Sequence, residues 1–142
     1  ERLVQELGLT DQVKFLGQVA DVPSLLMGKK ISILSTHYEG FPLALAEAMA
    51  AGCACIGSDV VGVREVIRDQ ENGLLVPEGN AEAMASALQQ LLESPELTRR
   101  LGATARTKAM HELDSSLMLE RYEQLFRQIT TIANPENVSI KQ

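Results

Sequence analysis

Short apolar runs alternate with helix-like patterns along the first half of the chain. Four runs rich in β-forming residues predict strands: VKFLG at 13–17, ISILS at 31–35, CACIG at 53–57 and GLLV at 73–76. Helices are predicted between them at 21–27, where Asp21 can cap the helix, and at 42–51 and 62–67. Strands that are apolar throughout and alternate with helices are typical of a parallel sheet covered on both faces. The pattern therefore predicts an α/β fold.

After residue 76 the pattern changes to helices alone. Asn80 is predicted to cap the first, whose apolar stripe is Ala81, Met84, Ala85, Leu88, Leu91 and Leu92. Ser94 and Pro95 begin the next, and Asp114 or Ser115 begins the last, whose stripe is Met118, Tyr122, Leu125, Phe126 and Ile129. We expect one domain over residues 1–133 and a flexible tail over 134–142.

The composition narrows the classes of partner. A net charge of -6 and an isoelectric point near 4.9 argue against a nucleic-acid partner or an anionic membrane surface. No run approaches the roughly 20 apolar residues of a membrane span, and no signal pattern is present, so we expect a cytoplasmic protein. Cys53 and Cys55 are expected to pack in the core, and with histidines only at 37 and 111 no metal site is predicted.

Two glutamates flank a turn in the stretch THYEGFPLALAEAMAAG. The predicted strand ends before Glu39, and Pro42 has the preset φ of a first helical position. The helix start then faces the strand ends, where the free amides of Gly40, Phe41, Leu43 and their neighbours could hold a phosphate or carboxylate. Glu47 follows Leu43 by one turn and could accept hydrogen bonds from vicinal hydroxyls, as an acid does for a ribose.

A simpler interpretation treats Glu39 as a solvated loop residue and Glu47 as an exposed helix residue. The alanines around Glu47 make the helix apolar on most sides, however, so we expect Glu47 to be partly buried. His37 could shuttle a proton beside these acids, although a loop histidine near a cleft more often only forms hydrogen bonds.

The stretch EGFPLALAEAMAAG resembles the signature of the family 4 retaining glycosyltransferases, in which two glutamates are separated by seven residues. The segments VKFLGQVADVPSLL before it and IGSDVVGVREVIRDQENGLLVPEGNAEAMASALQQLL after it resemble the same family in order and spacing. The resemblance implies the C-terminal domain of the two-domain B-type fold: a Rossmann-like parallel sheet with helices on both faces, truncated at its N-terminus and followed by C-terminal helices.

The resemblance also implies the site. Glu39, Gly40 and Phe41 would contact the transferred sugar, with Glu39 as the catalytic candidate, and the amides after Pro42, such as that of Leu43, would meet the diphosphate. Glu47 would bind the ribose. The loop at Gln18 and Val19 would hold the base. The ligand would be a nucleotide-diphosphate sugar donor, with no cofactor and no required metal.

The chain has no initiator Met and departs from the family in three ways, one of which is Lys29 and Lys30 where an Ala-Asp pair is common. Two strands with their basic residues, and the whole acceptor domain, would lie upstream of Glu1. We therefore expect a partial sheet with exposed edges, a dimer that could cover them, and a fragment inactive by itself. The full-length protein would transfer a sugar to a saccharide or lipid-linked acceptor, either in the cytoplasm or peripheral to a membrane. In addition, Val61 and Gly62 replace a usual Gly-Gly pair.

A different class of function is also compatible with the sequence: a non-catalytic nucleotide-binding or protein-docking α/β module whose glutamates are ordinary surface acids. A dinucleotide oxidoreductase is disfavoured, because no Gly-x-Gly-x-x-Gly follows a predicted strand.

Overall fold

The computed structural model describes residues 1–133, in which a parallel sheet of three strands organises the fold. The strands are β1 (Ile31–Leu34), β2 (Ala54–Ser58) and β3 (Leu74–Val76), and they lie in the order β1-β2-β3. In the register Ile56 lies opposite Ile33 on one side and Leu74 on the other. The parallel sheet and three of the four predicted strands are confirmed.

Seven helices surround or extend this sheet in the described residues. Two short ones precede it, α1 (Arg2–Glu6) and α2 (Val22–Leu26), and two connect its strands, α3 (Leu43–Ala50) and α4 (Val61–Val66). Three follow it: α5 (Ala81–Glu93), α6 (Pro95–Glu112) and α7 (Ser115–Ala133). The predicted caps are confirmed, since Asp21, Asn80 and Ser94 each accept a hydrogen bond from an amide three residues later.

Helices cover both faces of the sheet, and each face has its own apolar cluster. The first cluster joins β2 to α3, α4 and α6 through Leu45, Ala48, Met49, Cys53, Cys55, Val63, Val66, Ile67, Ala105 and Ala109. The second joins β2 and β3 to α5 and α6 through Ala54, Ile56, Leu74, Val76, Ala87, Leu91 and Leu101. Because successive strand residues point to opposite faces, β2 supplies both clusters and is buried along its whole length.

The two cysteines belong to this core, as predicted. Both are free and buried, and burial raises the pKa of each thiol, that of Cys55 to about 12. Cys53 Sγ lies 3.4 Å from the carbonyl oxygen of Lys29. Burial and a raised pKa disfavour the reactive thiolate, so these residues pack the core.

The predicted strand at 13–17 is wrong. These residues form no strand in the structure, and Val13, Phe15 and Leu16 are exposed. No strand of the described residues pairs with them, and an unpaired strand leaves its backbone groups and its apolar side chains in water. A short apolar run without a partner strand therefore has no reason to adopt the extended form.

The last helix lies largely apart from the core. The stripe predicted on α7 is present at helical spacing, but Met118, Tyr122, Leu125, Phe126 and Ile129 are all exposed. Tyr122 and Phe126 stack with their ring centroids 6.3 Å apart. Among residues 1–133, no helix has the length and apolar character that crossing a membrane requires. The tail predicted at 134–142 lies outside the described residues.

Candidate functional site

Three loops meet at the carboxyl ends of the strands, where ligands of open parallel sheets bind. The loop after β1 is tied to β2 because the amide of Thr36 donates to Ser58 Oγ at 3.1 Å. It is tied to the loop after β3 by His37, whose Nδ1 lies 2.7 Å from Glu78 Oε1. The loop that carries Glu39 is thus held by both of its neighbours.

Gly62, in α4, lies directly against the backbone of the same loop. A Cβ at this position would lie 2.1 Å from the carbonyl oxygen of Glu39 and 2.6 Å from that of Gly40, so only glycine permits the approach of α4 to the loop. The departure from the Gly-Gly pair, with valine at position 61, leaves this contact intact because the second position keeps its glycine. This role of Gly62 was not predicted from the sequence, although a glycine in the first turn after a strand is a usable signal.

The start of α3 differs from the sequence prediction. Pro42 is the residue before the helix and is buried, with φ of -81° and ψ of 75°, rather than the first helical residue. These angles are those of an inverse γ-turn, and the amide of Leu43 accordingly donates to the carbonyl oxygen of Phe41 at 2.9 Å. The expectation that the Leu43 amide is free is therefore wrong.

The amides of the next two residues are unpaired instead of that of Leu43. Within residues 1–133, the N–H groups of Ala44 and Leu45 have no hydrogen-bond acceptor, whereas that of Ala46 donates to the carbonyl oxygen of Pro42 at 3.0 Å. Unpaired amides in the first turn of a helix carry its positive partial charge and can hold an anion. The first turn of α3 thus has two unpaired amides, those of Ala44 and Leu45 in place of that of Leu43.

Glu39 precedes this helix start in the sequence, and Glu47 lies within α3. Glu47 is about 6 Å along the helix axis from Leu43, since each residue advances the helix by about 1.5 Å. Leu45, Ala48 and Met49 form the buried face of α3, and at about 100° per residue Glu47 falls on the opposite side with Leu43. The expected partial burial of Glu47 is confirmed, and Glu39 is partly buried as well.

Both carboxylates are available to a ligand. No residue of the described part of the chain forms a hydrogen bond or an ion pair with the side chain of Glu39 or Glu47. A carboxylate presents up to four lone-pair positions to hydroxyl donors. The helix start and its two acids can therefore bind a molecule that carries both an anionic group and hydroxyl groups.

Gln18 and Val19, the predicted base-binding residues, are not joined to this site by any hydrogen bond in residues 1–133. Gln18 is exposed and Val19 partly buried, and both follow the segment that forms no strand. Hydrogen bonds therefore tie the loop that carries Glu39 to its neighbours but do not tie Gln18 or Val19 to that loop.

An ion pair secures the loop after β2. Arg64 Nε donates to Asp59 Oδ1 at 2.5 Å, and this hydrogen bond lowers the pKa of Asp59 and raises that of Arg64. Both side chains remain largely in water, so the pair contributes little to global stability. The pair joins the loop after β2 to α4, at the second residue after Gly62.

Phe41 faces a cavity beside the site. The cavity has a volume of about 300 Å³ and lies between the loop, the end of α6 and the start of α7. Its other lining residues include Leu113, Met118, Arg121 and Tyr122. Within residues 1–133, no three His, Cys, Asp or Glu side chains are grouped as metal ligands would be.

Comparison with known proteins assigns the family. Residues 1–108 match the family described as glycosyl transferases group 1, and the chain belongs to this family. Its fold is that of the C-terminal domain of GT-B glycosyltransferases.

Individual relatives agree with this assignment. The chain is 36% identical over 125 residues to N-acetyl-alpha-D-glucosaminyl L-malate synthase of Bacillus anthracis, covering 88% of this chain and 33% of that protein. It superposes on sucrose-phosphate synthase from Thermosynechococcus elongatus with a TM-score of 0.86 and 34% identity, covering 92% of this chain and 33% of the other. It also superposes on Anabaena HepE in complex with UDP-glucose, with a TM-score of 0.84, 25% identity, and coverage of 89% and 35%. The chain spans about a third or less of the length of the curated relatives it matches.

Proposed function

We propose that this chain is the donor-binding domain of a retaining, family 4 glycosyltransferase that binds a nucleotide-diphosphate sugar. The observation that carries the proposal is the start of α3, where the amides of Ala44 and Leu45 have no acceptor in residues 1–133 and where Glu39 precedes and Glu47 follows them in the sequence. The family supports it, since this chain is a group 1 glycosyl transferase. The complex of HepE with UDP-glucose supports the class of donor.

Each part of the donor has a binding group. The amides of Ala44 and Leu45 hold the diphosphate, Glu47 accepts hydrogen bonds from the ribose hydroxyls, and Glu39 with Gly40 and Phe41 contacts the transferred sugar. This arrangement follows the chemistry of the groups: amides with partial positive charge suit phosphate oxygens, and carboxylates suit vicinal hydroxyls. An acidic protein binds an anion in this way through local dipoles rather than net charge.

The same amides would assist the reaction. As the bond between the sugar and the diphosphate breaks, negative charge develops on the leaving phosphate, and fixed N–H donors stabilise that charge without reorganising. Glu39, beside the sugar, orients it and stabilises the positive charge that develops on the ring. Another domain of the full-length protein would bind the saccharide or lipid-linked acceptor. This chain alone would then bind the donor without transferring the hexosyl group.

The proposal is tested by titrating the ¹⁵N-labelled full-length protein with UDP, GDP and ADP and following the amide resonances. We expect one nucleoside diphosphate to shift the amides of Gly40, Ala44 and Leu45 most. The amide of Ala83, in the first turn of α5, is the matched control, because it already donates to Asn80 Oδ1 at 2.9 Å and should not move. If no nucleotide perturbs the start of α3, a non-catalytic docking module becomes the better account.

A further inference from the structure

Ser58 ends β2 beneath the loop that carries Glu39. It is 2% exposed and one of the few buried polar residues of the described chain. Its hydroxyl oxygen accepts the hydrogen bond from the amide of Thr36, which lies 22 residues earlier in the sequence. A buried hydroxyl is retained in a core only where it satisfies another polar group, and here that group belongs to the site loop.

Thr36 transmits this contact toward the site. The backbone pairing of β1 with β2 ends at Leu34 and Gly57, so the Ser58 side chain holds the Thr36 amide where the ladder has stopped. The hydroxyl of Thr36 in turn donates to the carbonyl oxygen of Tyr38 at 2.8 Å. Two consecutive hydrogen bonds thus lead from the core to the residue directly before Glu39.

We propose that Ser58 is a positioning residue that sets the preference of the site for a sugar-bearing donor over the bare nucleoside diphosphate. The inference rests on the proposed function. Ser58 acts on the loop that carries Glu39 and Gly40, which contacts the sugar, and not on α3, which holds the diphosphate and the ribose. Loss of the Ser58 hydroxyl therefore weakens the contribution of the sugar to binding and leaves that of the nucleotide unchanged.

The surroundings of Ser58 supply a conservative variant. Ser58 lines a cavity of about 410 Å³ together with Ser35 and Gly79. This space can take one additional methyl group, so Ser58→Thr keeps the hydroxyl and its hydrogen bond. Ser58→Ala removes the acceptor and leaves the partly buried amide of Thr36 without it.

Thr98 provides the matched control for a merely structural effect. It is also buried, its hydroxyl donates to the carbonyl oxygen of Leu91 at 2.6 Å, and it lies on α6 within the helical layer. Thr98→Val removes a buried hydroxyl with almost no change of volume. It should lower stability as Ser58→Ala does without touching the loop that carries Glu39.

The experiment compares, by calorimetry, the dissociation constants of UDP and UDP-glucose for the full-length wild type and the three variants, and it uses the matching GDP or ADP pair where the titration above identifies that base. We expect the wild type to bind UDP-glucose more tightly, Ser58→Ala to reduce that preference about fivefold, as for one net hydrogen bond, and the affinity for UDP to remain unchanged. Ser58→Thr should restore the preference, and Thr98→Val should leave it intact.

The contrary outcomes are distinct. If the wild type binds none of UDP, GDP, ADP and their sugar conjugates, the proposed function is overturned and the role of Ser58 falls with it. If the wild type binds such a pair without preferring the sugar-bearing ligand, the role of Ser58 alone is overturned. If the wild type prefers UDP-glucose and Ser58→Ala keeps that preference, the role of Ser58 is overturned while the proposed function stands. A loss of preference in Thr98→Val equal to that in Ser58→Ala would also overturn it, because general loosening would then explain both.

Discussion

Two five-residue stretches, CACIG at 53–57 and VKFLG at 13–17, have the same apolar character and the same final glycine, yet the first contributes most of β2 and the second forms no strand. The first is paired on both sides and buried on both faces, whereas in the second Phe15 is 55% exposed. Strand formation here depends on partners and cover more than on the residues of the run itself.

The residues of the candidate site differ in the same way, since some are attached to the paired strands and others are not. The loops attached to the sheet are braced by Ser58, Gly62 and Glu78, and they hold Glu39 beside the start of α3. Gln18 and Val19 follow the unpaired stretch and are attached to nothing in that group of loops. The sheet therefore supports the residues that we propose to contact the sugar and the phosphate, whereas no strand of the described residues supports Gln18 and Val19.

The largest expected effect comes from shortening one apolar side chain in each of the two stretches, 53–57 and 13–17. Ile56→Ala should lower the free energy of unfolding by about 2 to 5 kcal/mol, because it removes a fully buried side chain and leaves a cavity. Phe15→Ala should change it by less than about 0.5 kcal/mol, as exposed substitutions usually do. Urea denaturation measures both, and similar losses would mean that residues 13–17 also pack in the folded chain.

The next effect concerns two glycines that permit close approach of a helix to backbone. Gly62→Ala and Gly102→Ala should each cost about 1 to 3 kcal/mol, since the added Cβ would lie 2.1 Å from the Glu39 carbonyl oxygen or 2.3 Å from that of Gly52. Only Gly62→Ala should also displace the amide resonances of Glu39 and Gly40 and weaken binding of the sugar donor. Equal displacement by both substitutions would contradict the local role of Gly62.

A smaller effect distinguishes the cap of a helix that packs on the core from the cap of a helix with no buried residue. Asn80→Ala should cost about 1 kcal/mol, because Asn80 caps α5, whose Ala87 and Leu91 belong to the core. Asp21→Ala should cost much less in global stability, because it caps α2, which has five residues and none buried. Thermal unfolding followed by circular dichroism gives both values. A larger loss of stability in Asp21→Ala than in Asn80→Ala would contradict the view that α5 packs on the core and α2 does not.

The smallest effect is the pH dependence of the ion pair between Asp59 and Arg64. The hydrogen bond from Arg64 lowers the pKa of Asp59 below its ordinary 3.8, so the folded state gains stability above that pH and loses it as the pH falls through the lowered pKa. The melting temperature of Asp59→Asn should therefore lie slightly below that of wild type at pH 7 and converge with it in acid. A difference that persists well below pH 3.8 would contradict this assignment.

Much of the fold follows from local sequence. The apolar runs at 31–35, 53–57 and 73–76, and the caps at Asp21, Asn80 and Ser94, carry their own signals, and the structure confirms them. The unpaired run at 13–17 could not be recognised, because periodicity reports the apolar character of a segment and not the presence of a partner strand.

The site was predictable in outline but not in its hydrogen bonds. The spacing of Glu39 and Glu47 locates the helix start, yet the inverse γ-turn at Pro42, which occupies the Leu43 amide, depends on backbone angles that the residue type does not dictate. The braces from Ser58 and Gly62 join residues more than 20 positions apart in sequence, and no local pattern reports such contacts.

We propose above that Glu47 binds the ribose of a nucleoside diphosphate whose phosphates bind at the start of α3. Calorimetric titration of the full-length protein with UDP and with its 2′,3′-dideoxy analogue tests it in wild type, Glu47→Ala and the control Glu71→Ala, which removes an exposed acid from a turn. We predict that Glu47→Ala weakens UDP binding about tenfold or more while the analogue binds both proteins alike, and that Glu71→Ala behaves as wild type. Undiminished affinity of Glu47→Ala for UDP would contradict the claim.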